Sequence, residues 1–190
     1  MSAASITSLQ DKFGDSILST IEFRGEHTAN VEKAKAKEIF QYCRDELGFD
    51  YLIDVSSLDN MGEDPRWELV YELYALSNGG KNHLRIKFKL PEGEKADSVS
   101  DLWPTAGWHE REVYDMMGIE FEGLADHRRI LMWEGYPYFP LRKDFPLAGR
   151  PSEMPDVAFT DRAPLEGGPF VTSSTSSSTV HREPRSRDMK

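Results

Sequence analysis

The chain has 190 residues, a net charge of −10 and one cysteine, Cys43. That length suits one domain with a tail, the acidity argues against a general nucleic-acid binder, and a lone cysteine excludes an internal disulfide or a cluster ligated by this chain's cysteines. No apolar run approaches the roughly 20 residues of a membrane span, and the opening "MSAASITSLQDKFGD" lacks both a secretory n- and h-region and the arginines of a transit peptide, so a reducing cytosol is expected.

Residues 5–13 suit a short helix, and residues 16–24, "SILSTIEFR", a strand. Residues 31–47 read as a helix with Asn30 as N-cap and Gly48 just beyond its end. Ala36, Ile39, Phe40, Cys43 and Leu47 form its apolar stripe, which makes Cys43 a core residue. Three period-two runs follow. "FDYLIDVSS" alternates Phe49, Tyr51, Ile53 and Val55 with acidic residues. "WELVYELYAL" puts Trp67, Leu69, Tyr71 and Leu73 on one face. "HLRIKFKL" does the same with Leu84, Ile86, Phe88 and Leu90. Turn chemistry between them predicts an antiparallel meander, with Glu68 and Glu72 facing lysines across the strands. Ser98 to Asp101 has the pattern of a capping box opening a short helix. A further helix runs from about Thr105 to Met117 and stops at Gly118.

The predicted fold is therefore α+β: a mostly antiparallel sheet, a three-strand meander plus an N-terminal strand, packed with helices over residues 1–122. Residues 123–149 form an extended strap. Its core, "ADHRRILMWEGYPYFPLRKDFPLAG", is too rich in proline for a long helix or central strand and too apolar for a solvated linker. Residues 126–150 carry +2 within an acidic chain, as a solvated basic loop or as a contact for an acidic partner. Residues 150–190, with "TSSTSSST", should be disordered unless a partner holds them.

Candidate chemistry concentrates in "WHEREVYDMMG", residues 108–118. On a helical wheel His109, Val113, Met116 and Met117 share one face. Glu110 and Glu112 flank it, and Arg111 and Asp115 lie opposite. Carboxylates at the rim of an apolar stripe can accept charge-assisted hydrogen bonds from Arg128, Arg129 or Arg142. Glu112 in particular is expected to be at least half buried and paired with one of them. The alternative is a charged face in water. His109-Glu110 begins a zinc-protease motif, but Val113 stands where its second histidine belongs. A stand-alone carboxylate enzyme using Glu110 and Glu112 is a rival reading, although residues two apart on a helix do not converge. No glycine-rich nucleotide loop supports flavin or nicotinamide binding.

Residues 35–149 resemble a known family. "WHEREVYDMMGIEFEG", "RRIL" and "PLRKDFPL" are similar to the C subunit of the proton-translocating NADH–quinone oxidoreductase, respiratory complex I. The signature comprises Glu110, Arg111, Glu112, Asp115, Gly118, Arg128 and Arg129, then Pro140, Arg142, Lys143 and Asp144. "LGFDYLIDVSSLD" and "DLWPTAGWHERE" read the same way. Leu124-Ala125 and His127 depart from the usual wording before the arginine pair. The resemblance implies a non-catalytic scaffold subunit in the peripheral arm, on the cytoplasmic side of the bacterial inner membrane. It implies packing on the quinone-site D subunit, with the B and I subunits as further neighbours. No catalytic, metal or cofactor residues are implied in this chain; FMN, iron–sulfur clusters and quinone belong to other subunits. A partner would then bury the strap aromatics, and the strap arginines would pair with carboxylates of the Glu-Arg-Glu helix or of that partner. Subunits of ferredoxin-fed quinone reductases and energy-converting hydrogenases share the signature.

Overall fold

The computed structural model of the chain describes residues 2–77 and 82–146. The strap end at 147–149 and the 150–190 tail lie outside the described residues. The fold is α+β. Helix α1 (Ser2–Phe13) leads through a 3-10 turn to the strands β1 (Ile17–Phe23) and β2 (Glu26–Val31), then helix α2 (Lys33–Asp45). The meander β3 (Tyr51–Asp59), β4 (Trp67–Ala75) and β5 (Asn82–Leu90) follows. Two short strands, β6 (Ala96–Asp97) and β7 (Phe121–Glu122), bracket helix α3 (Ala106–Met117). The main sheet has the order β1-β2-β5-β4-β3, antiparallel except where β2 runs parallel to β5.

The meander forms as its alternation predicts. Trp67, Leu69, Tyr71 and Leu73 are buried beside Leu84, Ile86, Phe88 and Leu90. Phe40 of α2 lies 4.4 Å, ring to ring, from Tyr71, and Trp103 donates its indole N–H to the Phe49 carbonyl at 3.1 Å. Each fully buried Leu or Ile contributes about 1.5–3 kcal/mol, which makes this one continuous core the main stabilising term. The opposite face of the sheet is tied by charge. Glu72 meets Arg85 and His83, and Glu68 meets Lys87 at 3.3 Å. Only the second of these pairings matches the glutamate–lysine expectation.

Three local expectations are corrected. Residues 26–31 are a strand, and the helix starts at Lys33. Asn30 is not its N-cap; its amide donates to Ser19 Oγ across the hairpin at 2.7 Å. The cause is the tight turn at Arg24-Gly25, where both residues have positive φ and fold β2 back on β1. In β3 the register shifts between Leu52 and Asp54, so Leu52 joins Val55 in the core while Tyr51 and Ile53 face outward. Residues 98–103 are turns rather than a short helix, with Leu102 and Trp103 N–H both donating to the Val99 carbonyl.

Cys43 is fully buried, and desolvation pushes its thiol far above the ordinary range. The folded chain should not react with a water-soluble disulfide reagent at about pH 8, whereas the urea-unfolded chain should titrate fully. A stoichiometric signal from the native protein would remove Cys43 from the core.

Candidate functional site

Helix α3 presents three carboxylates in three different environments. The parallel pairing of β6 and β7 closes the base of the α3 loop, with Ser98 N–H on the Glu122 carbonyl at 2.8 Å. This places Ser98 and Val99 beneath Glu110. The Glu110 carboxylate is fully buried and accepts Ser98 Oγ at 2.6 Å and Val99 N–H at 2.7 Å. Burial raises its pKa, and these two bonds offset that only in part. The serine of the apparent capping box therefore serves Glu110, not a helix of its own.

Asp115 is the centre of the site. It is fully buried, and its Oδ2 accepts the backbone N–H groups of Ile130, Leu131 and Met132 at 3.0, 2.7 and 2.8 Å. Its Oδ1 takes Arg129 Nη1 at 2.6 Å, and the same nitrogen donates to the Asp115 carbonyl at 2.9 Å. Burial alone would raise the Asp115 pKa, but the three amides and the guanidinium together outweigh it and hold the carboxyl below the usual range. The Arg129 guanidinium carbon sits 5.0, 5.6 and 6.0 Å from the rings of Phe139, Tyr136 and Tyr114. Cation–π attraction of this kind strengthens as the cation is desolvated.

Arg111 completes the lock from the same helix face. Its Nε donates to the Arg128 carbonyl at 3.0 Å and its Nη2 to the Arg129 carbonyl at 3.3 Å. The helix signature and the arginine-pair signature thus interlock, Arg111 on strap backbone and Arg129 on the α3 carboxylate. Arg128 itself is largely exposed and pairs with Asp126 at 2.8 Å. At the end of α3, Gly118 has φ +78°, and a Cβ there would meet the Phe139 ring at 2.7 Å. Leu141 N–H then satisfies the Met116 carbonyl at 3.1 Å, one of the orphan carbonyls of the last turn.

The far end of the strap is held by a third buried carboxylate. Asp59 takes Arg66 through both oxygens at 2.8 Å and the Lys143 N–H at 2.8 Å. Arg142 reaches Glu92 at 2.7 Å and Asp144 at 3.2 Å, and Arg66 reaches Asp144 at 3.3 Å. Pro140 is half-buried in the same segment, while the Lys143 side chain is exposed. Sequence pattern marks neither Asp59 nor Arg66 as a site residue; the one signal is Asp59 closing the "DVSSLD" run.

The expected pairing of Glu112 fails. Glu112 is exposed and makes no ion pair with a described residue; Arg129 pairs with Asp115 instead. The wheel assigned the faces correctly, but the side of α3 opposite the core stripe is covered by the strap, not by water. The rival carboxylate enzyme loses its geometry as well, because Glu110 is sealed in the core and Glu112 faces outward. Among the described residues no group of three or more His, Cys, Asp or Glu side chains could hold a metal ion.

Residues 29–151 match the family described as the respiratory-chain NADH dehydrogenase, 30 kDa subunit. The chain belongs to this family. The C subunit of the NADH-quinone oxidoreductase of Geotalea uraniireducens is 43% identical over 163 residues, covering 85% of this chain and 92% of that one. Its counterpart in Geobacter sulfurreducens is 41% identical over 164 residues, covering 85% and 94%. The solved trypsin-resistant fragment of Nqo5 superposes with a TM-score of 0.57 at 27% identity, covering 66% of this chain and 99% of that one. A chain of an archaeal membrane-bound sulfane sulfur reductase shares the fold, with a TM-score of 0.66 at 21% identity over 76% and 85% of the two chains. The family match contains both ends of the strap and the three carboxylates of α3. No helix among the described residues is long and apolar enough to cross a membrane.

Removing the centre of this clamp should be costly. Asp115→Ala strands Arg129 and three amides, and urea unfolding should show a loss of about 3–5 kcal/mol. A loss under about 1 kcal/mol would mean that the strap does not depend on Asp115.

Glu110 yields a pH test. Its folded pKa is raised above the ordinary 4.5, so its contribution is whole below that value and lost as pH rises through the folded pKa. The stability of wild type minus that of Glu110→Gln should therefore fall between about pH 4.5 and about pH 8. Urea melts of both proteins at the two pH values check this, and a flat difference would put the carboxyl in water.

Proposed function

We propose that this chain is a non-catalytic scaffold subunit of a proton-translocating NADH–quinone oxidoreductase. It stands in the peripheral arm on the cytoplasmic side of the bacterial inner membrane. Its main contact is the quinone-site D subunit, with the B and I subunits as neighbours. FMN, iron–sulfur clusters and quinone reside on those and other subunits, and this chain supports electron transfer from NADH to quinone by holding them in place.

The observation that carries this reading is the use made of the family signature. Asp115, Arg111 and Arg129 spend their bonding capacity on one another and on strap backbone. Groups engaged in this way shape a surface rather than standing ready to bind or transform a substrate. The lone cysteine lies in the core, where its sulfur packs rather than ligates. We assign the signature residues Arg111, Asp115, Gly118, Arg129, Arg142 and Asp144 to building the strap as a rigid ledge for assembly, and Glu110 to fixing the 98–99 turn beneath α3.

An affinity-tagged full chain, expressed in its source organism and recovered in mild detergent, tests this. Mass spectrometry should find flavin-binding and iron–sulfur subunits with it, while the chain purified alone should carry no chromophore and oxidise no NADH. Stoichiometric flavin on the isolated chain, or recovery of the tagged chain without redox subunits, would overturn the proposal. A nickel-ligating partner in place of the NADH-oxidising subunit would move the chain to the hydrogenase branch.

A further inference from the structure

The outer edge of β3 is open. Among the described residues β3 pairs with β4 on one side only. Beside that edge runs a groove of about 170 Å³, lined by residues 54–57 of β3. Four consecutive strand residues project to both faces, so what they share in lining one groove is their backbone edge. The facing wall is Val113, Met116 and Met117 of α3, and Leu141 of the strap closes it. Leu141 is 62% exposed, although the clamp fixes its backbone against α3.

The groove has a definite electrostatic character. Its two charged lining residues are Asp54 and Glu112, both acidic, and no basic residue lines it. Asp54 is held by His109 at 3.2 Å, whereas Glu112 is exposed and makes no ion pair with a described residue. An apolar floor and an unpaired strand edge suit strand addition, and the Glu112 carboxylate at the rim, which makes no ion pair with a described residue, adds a charge to be answered. Main-chain bonds give affinity, alternate side chains fill the floor, and a basic residue answers the rim.

We infer that the β3 edge takes an extended segment of a neighbouring subunit as a sixth strand along residues 54–58. The segment alternates apolar side chains, which enter over Val113 and Met116, with at least one lysine or arginine that meets Glu112. The bulge between Leu52 and Asp54 ends the ladder at its N-terminal side, because a displaced residue interrupts regular pairing. This inference rests on the reading of the chain as a subunit of a larger complex. Charge disfavours the chain's own segment 150–162, in which two basic residues face three acidic ones.

Hydrogen exchange read by mass spectrometry, on the free full chain and on the complex purified from the source organism, tests the inference. Amides of 54–58 not bonded to β4 should exchange quickly in the free chain and at least about tenfold more slowly in the complex. Glu112→Lys should lower the recovery of the chain in the complex while leaving its own thermal melt unchanged, and Glu112→Gln should lower it less. Fast exchange in both states, with the chain still in the complex, would overturn the inference and leave the proposed function standing. Protection already present in the free chain and lost on truncation after Pro146 would assign the edge to the tail. Protection lost on dilution of a free dimer would assign it to a second copy. Either result overturns a neighbouring subunit as occupant. A chain recovered with no complex at all would overturn the proposed function together with this inference.

Discussion

A single buried carboxylate organises the part of this protein that distinguishes it from a plain sheet with helices. Burying Asp115 without partners would cost several kcal/mol, so its acceptor sites must be filled. Three consecutive amides and one guanidinium fill them. The amides come from the backbone of residues 130–132, so their convergence demands a tight local turn but no particular side chains there. Once that turn is set, Arg129 lies under the rings of Tyr136 and Phe139, and the chain is aimed along α3 toward Gly118. The strap is thus shaped by what it wraps, which explains how a proline-rich segment without regular structure keeps a defined path.

This also resolves why so many aromatic side chains sit on a segment that cannot fold by itself. A partner is not needed to explain Tyr136 and Phe139, which stack on the cation and on the glycine within the same chain. Tyr138 and Phe145 continue the row of rings at 6.0 Å. On the strap and α3 the large apolar groups left outside are instead Leu131, Leu141 and Trp108, each at least 60% exposed. Trp108 has the Arg111 guanidinium 5.3 Å from its ring, so the same arginine that grips the strap backbone also steadies an exposed indole. Exposed apolar groups fixed on a rigid frame lose little further entropy on binding, which is the useful property for an assembly surface.

The meander was legible because alternation in β5 is unbroken and in β4 fails only at Val70, so each strand shows one clearly apolar face. Strand β2 was not. "EHTANV" has only alanine and valine as apolar markers, and its true signal was the Arg24-Gly25 turn just before it. The faces of β3 inverted partway because a bulge has no composition of its own. At the candidate site the residues were found and their roles were exchanged. Wheel geometry gave each side chain of α3 its direction, but direction says nothing about what lies there. Asp115 pointed away from the core stripe, where pattern alone implies a rim, and the strap made that side interior. Glu110 flanked the stripe and was swallowed by it, because β6 and β7 bring Ser98 and Val99 up from below. Contacts across long sequence separations, Lys143 to Asp59 above all, leave no local periodicity to read.

The carboxylates raise the question of why a subunit of this kind would bury charge at all, when apolar residues of similar volume often stabilise a core as well or better. The answer lies in register. An apolar strap could slide along α3 with little loss, since hydrophobic contact is non-directional. Asp115 accepts one particular run of three amides, Asp59 accepts the amide of one particular residue, and the two sites are far apart in sequence. Shifting the strap by one residue would pull Arg129 and its three amides off Asp115 and the Lys143 N–H off Asp59, which would keep only Arg66. The polar clamps therefore convert a sticky segment into one with a single position. That gain is in specificity more than in stability. Leu131 and Leu141 are thereby held outward at fixed points rather than along a sliding segment.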